Sequence, residues 1–278
     1  MSSSSVLVRA GGPKQIATLK NQKQAELKSL ATIAPDLPDV QLLRFALAFP
    51  TKAEAETALN TAVTWRKGEG RSIVESAAAA VEAATAGGGW DNDAVRAAAP
   101  HAAVLNSYIT PKNILTVSTD DGDLVYIIRA SSINDKEMMS KVSVAQVSEF
   151  FAYVKEVHSL VANARSEQTG RLCEVIFAND ISGIRKPPDK KFSEALTSSS
   201  KQYESLYPSL AGPTMILNLP FILQAFIGLF KPLFPKTVQA KLRFERAPVL
   251  ASLKELTPLT TDVQSRSRFL SEVAKLLN

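Results

Sequence analysis

The sequence predicts an α/β protein in which a mostly parallel β-sheet is covered by helices and preceded by a small all-helical N-terminal subdomain. Three observations predict it. Helically spaced apolar residues fill positions 13–86, the triplet Gly87-Gly88-Gly89 interrupts them, and beyond it short β-branched stretches alternate with helical ones. The organisation expected is a flexible N-terminus at 1–12, a helical subdomain at 13–86 and a main domain at 90–278.

The first helix is expected at 13–33, where Ile16, Leu19, Leu27 and Leu30 share a face and Lys14, Lys20, Lys23 and Lys28 lie elsewhere, with Pro35 and Pro38 ending it. Helices follow at 39–49, 52–67 and 72–86, the last rich in alanine. Strands are expected near 114–118, 124–130, 174–180 and 213–218, and helices at 143–167, 189–206 and 221–231. Strands separated by helices imply parallel pairing. A helix at 261–277, striped with Phe269, Leu270, Val273, Leu276 and Leu277, closes the chain, and no internal repeat is present.

Composition narrows the class. Forty-five per cent of the 278 residues are hydrophobic, enough for a sizeable core. Cys173 is the single cysteine, so no internal disulfide forms and a reducing, cytoplasmic location is expected. Met1 to Gly12 lacks the apolar run of a secretory signal. The longest apolar stretch, Leu217 to Phe230, is shorter than the roughly 20 residues that span a bilayer, and Pro220 interrupts it. The net charge of +5 is unevenly placed: Lys231, Lys236, Lys241, Arg243 and Arg246 face only Glu245, and Arg185, Lys186, Lys190 and Lys191 form a second basic loop. Two accounts fit, a solvated basic surface and an anionic membrane surface, where each nearby cation contributes about 1 kcal/mol. No zinc pattern or recognition helix points to nucleic acid.

Catalytic chemistry is sparse. His101 and His158 stand alone without metal-ligand spacing, and a lone histidine reads as structural or exposed. Gly68-Glu69-Gly70 opens like a dinucleotide fingerprint, but Ile73 holds the third glycine position and no strand precedes it. Serine nucleophiles lack the G-x-S-x-G elbow. Asp120-Asp121-Gly122-Asp123 lacks the closing glutamate of a calcium loop and reads as a turn into the strand at 124. Cys173, just before an apolar strand, is expected to be a buried thiol.

The most informative stretch is Tyr207 to Phe244. From Phe221 to Phe230 only Gln224 and Gly228 break the apolar run, so a helix there needs an apolar neighbour on both sides. A Tyr-Pro pair at Tyr207-Pro208, the corner Asn218-Leu219-Pro220, the apolar helix ending in Phe230-Lys231-Pro232 and Lys241 ten residues beyond resemble the gate region of the CRAL-TRIO family of lipid-binding proteins. Further stretches carry the resemblance in the same order: Leu42-Leu43-Arg44-Phe45 with Trp65-Arg66-Lys67, the strand Asp123 to Arg129, and Val175 to Gly183, which ends in Asp-x-x-Gly. The chain departs from the family after Phe45, where Ala46-Leu47-Ala48-Phe49 replaces a basic run.

The resemblance implies a hydrophobic lipid pocket closed by a gate and opened at membranes. A buried acyl chain contributes about 0.8 kcal/mol per methylene. Phe221, Leu223, Phe226, Ile227 and Phe230, with Val175 and Phe177 across the cavity, are the candidate lining residues, and plain core packing is the competing account of each. Gly228 costs the helix about 1 kcal/mol relative to alanine, as a hinge or as a site of close packing. Phe230, Lys231, Phe234 and Lys236 are the candidate membrane contacts. By the resemblance, Lys241 matches the lysine that neutralises an inositol phosphate. Ser209 stands where phosphatidylinositol binders carry an acid, Val238 where they carry a hydroxyl, and Val175 and Phe177 replace polar residues that hold a choline headgroup.

The function expected is extraction and exchange of one hydrophobic ligand, a phospholipid such as phosphatidylinositol, by a monomer that associates peripherally with an anionic membrane. No cofactor is needed beyond the lipid carried as cargo. A neutral lipid such as a sterol, tocopherol or carotenoid is the alternative cargo, and a non-transferring protein-interaction module the alternative function.

Overall fold

The computed structural model describes residues 15–87, 90–118, 122–180, 187–217, 242–245 and 257–258. The expected flexible N-terminus at 1–12 and the helices at 221–231 and 261–277 lie outside the described residues.

The first helix is two. Helix α1, Ile16–Gln22, and α2, Gln24–Ile33, are separated at Lys23, which leaves helical geometry at φ −117° and ψ 24°. The two halves serve different apolar surroundings. Ile16 packs with Val40, Leu43 and Leu172, whereas Leu30 enters the main core, and the polar run Asn21 to Lys23 has no apolar side chain to hold it straight. Lys23 instead pairs with Glu26 at 2.9 Å.

Helix α3, Asp39–Ala48, is buried from Val40 to Ala46 because it lies between both apolar clusters. Helix α4, Lys52–Lys67, starts at a reciprocal capping box in which Thr51 and Glu54 exchange side-chain and backbone bonds. Helix α5, Arg71–Thr85, buries the alanine face Ala77, Ala80 and Ala84. The core is continuous across the glycine run, joining Ala77 and Ala80 to Val147 and Phe151 beyond it. Short helices α6, Asn92–Ala97, and α7, Ala102–Leu105, follow, and α8, Asp135–Lys141, precedes the long α9, Val144–Thr169. Helix α10, Lys190–Leu206, completes the described helices.

Strands β1, Ile114–Ser118, β2, Leu124–Arg129, β3, Val175–Asp180, β4, Ala211–Leu217, β5, Leu242–Glu245, and β6, Thr257–Pro258, form one sheet in the order β5-β4-β3-β2-β1-β6. From β2 to β5 every pairing is parallel, while β1 runs antiparallel to β2 and β6. The expected α/β architecture is therefore present, with the antiparallel strands at one edge. Strand β4 begins two residues earlier than expected. Ala211 lies opposite Val175 and Thr214 opposite Phe177, so β4 carries one extra residue there. This bulge admits Pro213, which has no ladder donor. Gly122, which leads into β2, needs its φ of +89°, and an added Cβ would meet Cys173 Sγ at 3.1 Å.

Arg44 of α3 joins these parts. Its guanidinium is buried and donates to Asn163 Oδ1 of α9 at 2.8 Å, to the Cys173 carbonyl before β3 at 2.7 Å and to the Ser209 carbonyl before β4 at 2.9 Å, with a longer contact to Ser166 Oγ. Burial lowers its pKa to about 10, still charged at neutral pH. Arg66 of α4 ties the same helices down by a two-pronged bond to Glu156 of α9 at 2.7 and 2.6 Å. Replacing Arg44 by alanine strands two buried acceptors, on Asn163 and Cys173, and the half-buried Ser209 carbonyl, a buried one being worth about 1–3 kcal/mol when left unpaired. Arg44→Ala is expected to lower the free energy of urea unfolding by at least about 3 kcal/mol; a loss under about 1 kcal/mol would show that the sheet and the N-terminal helices hold together without it.

Candidate functional site

Parallel pairing sets Leu124, Tyr126 and Ile128 of β2 level with Val175, Phe177 and Asn179 of β3. Alternation places this row on one face of the sheet, and Leu124, Tyr126 and Val175 of that row share a core with Val147 to Ala162 of α9 and Phe192 to Leu206 of α10. Val125, Ile127, Ile176 and Ala178, on the other face, are buried but belong to neither described cluster.

The helix-covered face carries a continuous line of rings. The Phe177 ring stands edge-on between Tyr126, 5.9 Å away, and Tyr203, 5.8 Å away, at 87° and 85°. His158 closes on the far side of Tyr126 at 4.9 Å, and Tyr207 extends the line beyond Tyr203 at 5.8 Å. Edge-to-face rings at such spacing attract beyond their area burial.

Polar groups are set into this apolar layer. Lys155 of α9 donates from Nζ to the hydroxyl and carbonyl of Ser199, and lies 5.2 Å from the centre of the Tyr203 ring. Burial depresses its pKa to about 7. His158, one turn further along, has Nε2 2.9 Å from Thr116 Oγ1 of β1. Burial, reinforced by the Lys155 charge, pushes its pKa down to about 3, so the imidazole is neutral at physiological pH. Burial pushes the Tyr126 and Tyr203 phenols upward, and both hydroxyls are neutral, buried and, among the described residues, without a hydrogen-bond partner. The nearby Glu156 carboxylate is taken by Arg66.

Of the candidate lining residues, Val175 is fully buried within the core beneath α9, and Phe177 is the half-buried centre of the ring line. Ser209 follows the buried Tyr207-Pro208 pair in the left-handed region at φ 54°, with its carbonyl held by Arg44. Its position thus fixes the corner into β4 through the backbone. Phe221, Leu223, Phe226, Ile227, Phe230, Lys231, Phe234, Lys236 and Lys241 lie outside the described residues. The rings bring together groups that the sequence did not assign to the site: Lys155, Tyr126 and Tyr203, and with them His158, expected to be structural or exposed and found buried. Their signal was present as two basic residues three apart inside the apolar run Phe150 to Val161, a spacing that shares one helix face.

Cys173 is buried as expected. Among the described residues, no three side chains are grouped to hold a metal ion and no helix is long and apolar enough to cross a membrane.

The family model described as CRAL/TRIO domain matches residues 110–259, more than half of the 278-residue chain. No curated protein matches. Among solved structures, "Crystal structure of Sfh5" aligns with a TM-score of 0.46 and 11% sequence identity over 82% of this chain and 78% of that one.

The two buried bases make stability depend on pH. His158 binds a proton near 6.5 in the unfolded chain and near 3 in the folded one, so stability is complete above about 6.5 and falls as the pH drops toward 3. Lys155 acts with the same sign, but its window lies between about 7 and 10.5, and it adds little slope below 7. His158→Gln is therefore expected to flatten the fall in unfolding free energy between pH 7 and pH 5, by about 2 kcal/mol at the lower end. Parallel slopes for the two chains would show that His158 takes up its proton without unfolding.

Proposed function

Because the chain belongs to the CRAL/TRIO domain family, whose members bind hydrophobic lipid ligands, we propose that it is a carrier that extracts a single lipid from a membrane, encloses it and exchanges it without covalent chemistry. The observation that carries this reading is the extent of the family match, which takes in the sheet, the ring line and the apolar stretch 219–234 together. Residues 90–278 form the lipid-binding unit, and the helices of 13–86 brace it through Arg44 and Arg66. A basic surface that includes Lys231 and Lys236, with Phe230 and Phe234, docks a monomer on an anionic membrane from the cytoplasmic side. The segment 219–234 then opens, and Phe221, Leu223, Phe226 and Ile227 line the path of the cargo with Phe177.

Two cargo classes are separable. A phosphatidylinositol-type phospholipid is supported by Lys241 as the cation for its phosphate. A neutral lipid is supported by the helix-covered face itself, where Phe177 and Val175 are apolar and His158 is uncharged. Mass spectrometry of lipids retained by the native chain decides the first question. One lipid enriched near a one-to-one ratio is the outcome expected, whereas a lipid-free chain that also stays empty after exposure to a mixed membrane extract is a protein-interaction module.

Substitutions test the path. Phe226→Glu is expected to abolish extraction from vesicles while the chain stays folded by circular dichroism; global unfolding would assign Phe226 to a core instead. Lys241→Ala is expected to weaken phosphatidylinositol binding about tenfold or more, the loss of one charge-assisted contact, if that phospholipid is the cargo. Unchanged affinity removes Lys241 from the headgroup site.

A further inference from the structure

The ring line carries three buried hydroxyls without a well-formed hydrogen bond among the described residues, those of Tyr126, Tyr203 and Tyr207; Tyr207 lies beside the Glu156 carboxylate, and the other two are left unspent. Tyr126 of β2 and Tyr203 of α10 sit on either side of Phe177, and each hydroxyl is buried with no partner among the described residues. An unpaired buried hydroxyl is destabilising and is retained where something outside the fold uses it. Lys155 lies over the Tyr203 ring and His158 against the Tyr126 ring, so α9 lays two nitrogen groups along the same line as the two phenols.

We propose that Tyr126 and Tyr203 form the polar anchoring end of the cargo cavity and select a lipid whose head is an uncharged oxygen function, a hydroxyl or a carbonyl, over one that carries a phosphate. This rests on the carrier reading and chooses between its two cargo classes. A phenol both donates and accepts, and so matches a hydroxyl or carbonyl oxygen. A phosphate needs fixed cations, and among the described residues those nearest the ring line are committed or discharged. Arg44 is occupied by Asn163 and two backbone carbonyls, Arg66 by Glu156, and Lys155 by Ser199. His158 is neutral at physiological pH.

The test uses the full chain stripped of lipid and exposed to phosphatidylcholine vesicles that contain octadecanol, 2-octadecanone, octadecane or phosphatidylinositol. Octadecanol and 2-octadecanone are expected to be taken up roughly tenfold or more over octadecane, the worth of one or two hydrogen bonds, and in preference to phosphatidylinositol. In the double variant Tyr126→Phe, Tyr203→Phe the ratio of octadecanol to octadecane is expected to fall toward one. A ratio that survives the double substitution, or a preference for phosphatidylinositol, overturns the proposal and leaves the carrier reading standing. No uptake of any of the four overturns both. A second measurement needs no lipid. Removing an unpartnered hydroxyl leaves stability equal or higher, so the stripped Tyr203→Phe chain is expected to unfold at the same temperature as the original or above it. A lower midpoint shows that the hydroxyl is bonded within the protein, and the proposal falls.

Discussion

A guanidinium removed from water has to find its hydrogen-bond partners inside the protein, and around Arg44 that requirement shapes the whole fold. Its acceptors come from the C-terminal third of α9, the segment just before β3 and the corner before β4. None lies on its own helix, so α3 cannot be placed correctly unless the sheet and its longest covering helix are placed too. The left-handed backbone at Ser209 belongs to the same arrangement, since it accompanies the carbonyl that Arg44 holds. Burial that would be costly for an unpaired cation becomes a means of specifying one geometry.

The second fastening has a different character. Arg66 and Glu156 neutralise each other in a parallel two-pronged bond, which fixes orientation between α4 and α9 as well as distance. Glu156 sits between Lys155 and Val157 on α9, and one residue further His158 meets the sheet. Successive positions of one helix therefore serve opposite purposes: one faces the N-terminal helices as a structural anchor, and the next turn faces the ring line. A 26-residue helix can divide its circumference in this way because between Phe150 and Asn163 none of its residues is exposed.

The fold was legible where local chemistry and long-range packing agree. Strand β1 and helix α4 begin and end at the expected residues, the latter held at its start by the Thr51 box, and Gly170, left-handed at φ 67°, stops α9. The break at Lys23 was hidden because amphipathic spacing continues through it, and only the presence of two separate apolar clusters forces the turn. Helix α8 did carry a readable mark, Asn134 capping the backbone of Glu137, in a stretch too short for periodicity to register. Strands β5 and β6 contribute only four and two residues to the sheet and depend on neighbours far away in the chain. In the site, the apolar members Val175 and Phe177 were visible, whereas Lys155 and His158 read as ordinary polar residues, because one chain's pattern does not say which face of α9 meets the sheet.

The bulge in β4 bears on how such a chain can change length. Opposite the two-residue step from Val175 to Phe177, β4 takes three, and Gly212-Pro213 absorb the excess. Deleting one residue there would turn the bulge into a regular ladder and leave every later side chain on its present face. The same deletion in β3 ahead of Phe177 would slip the register by one and turn Phe177, the centre of the ring line, to the opposite face. The bulge is thus the place where β4 can lose a residue without turning its later side chains over, and the aromatic layer is shielded from that change in the strand beside it.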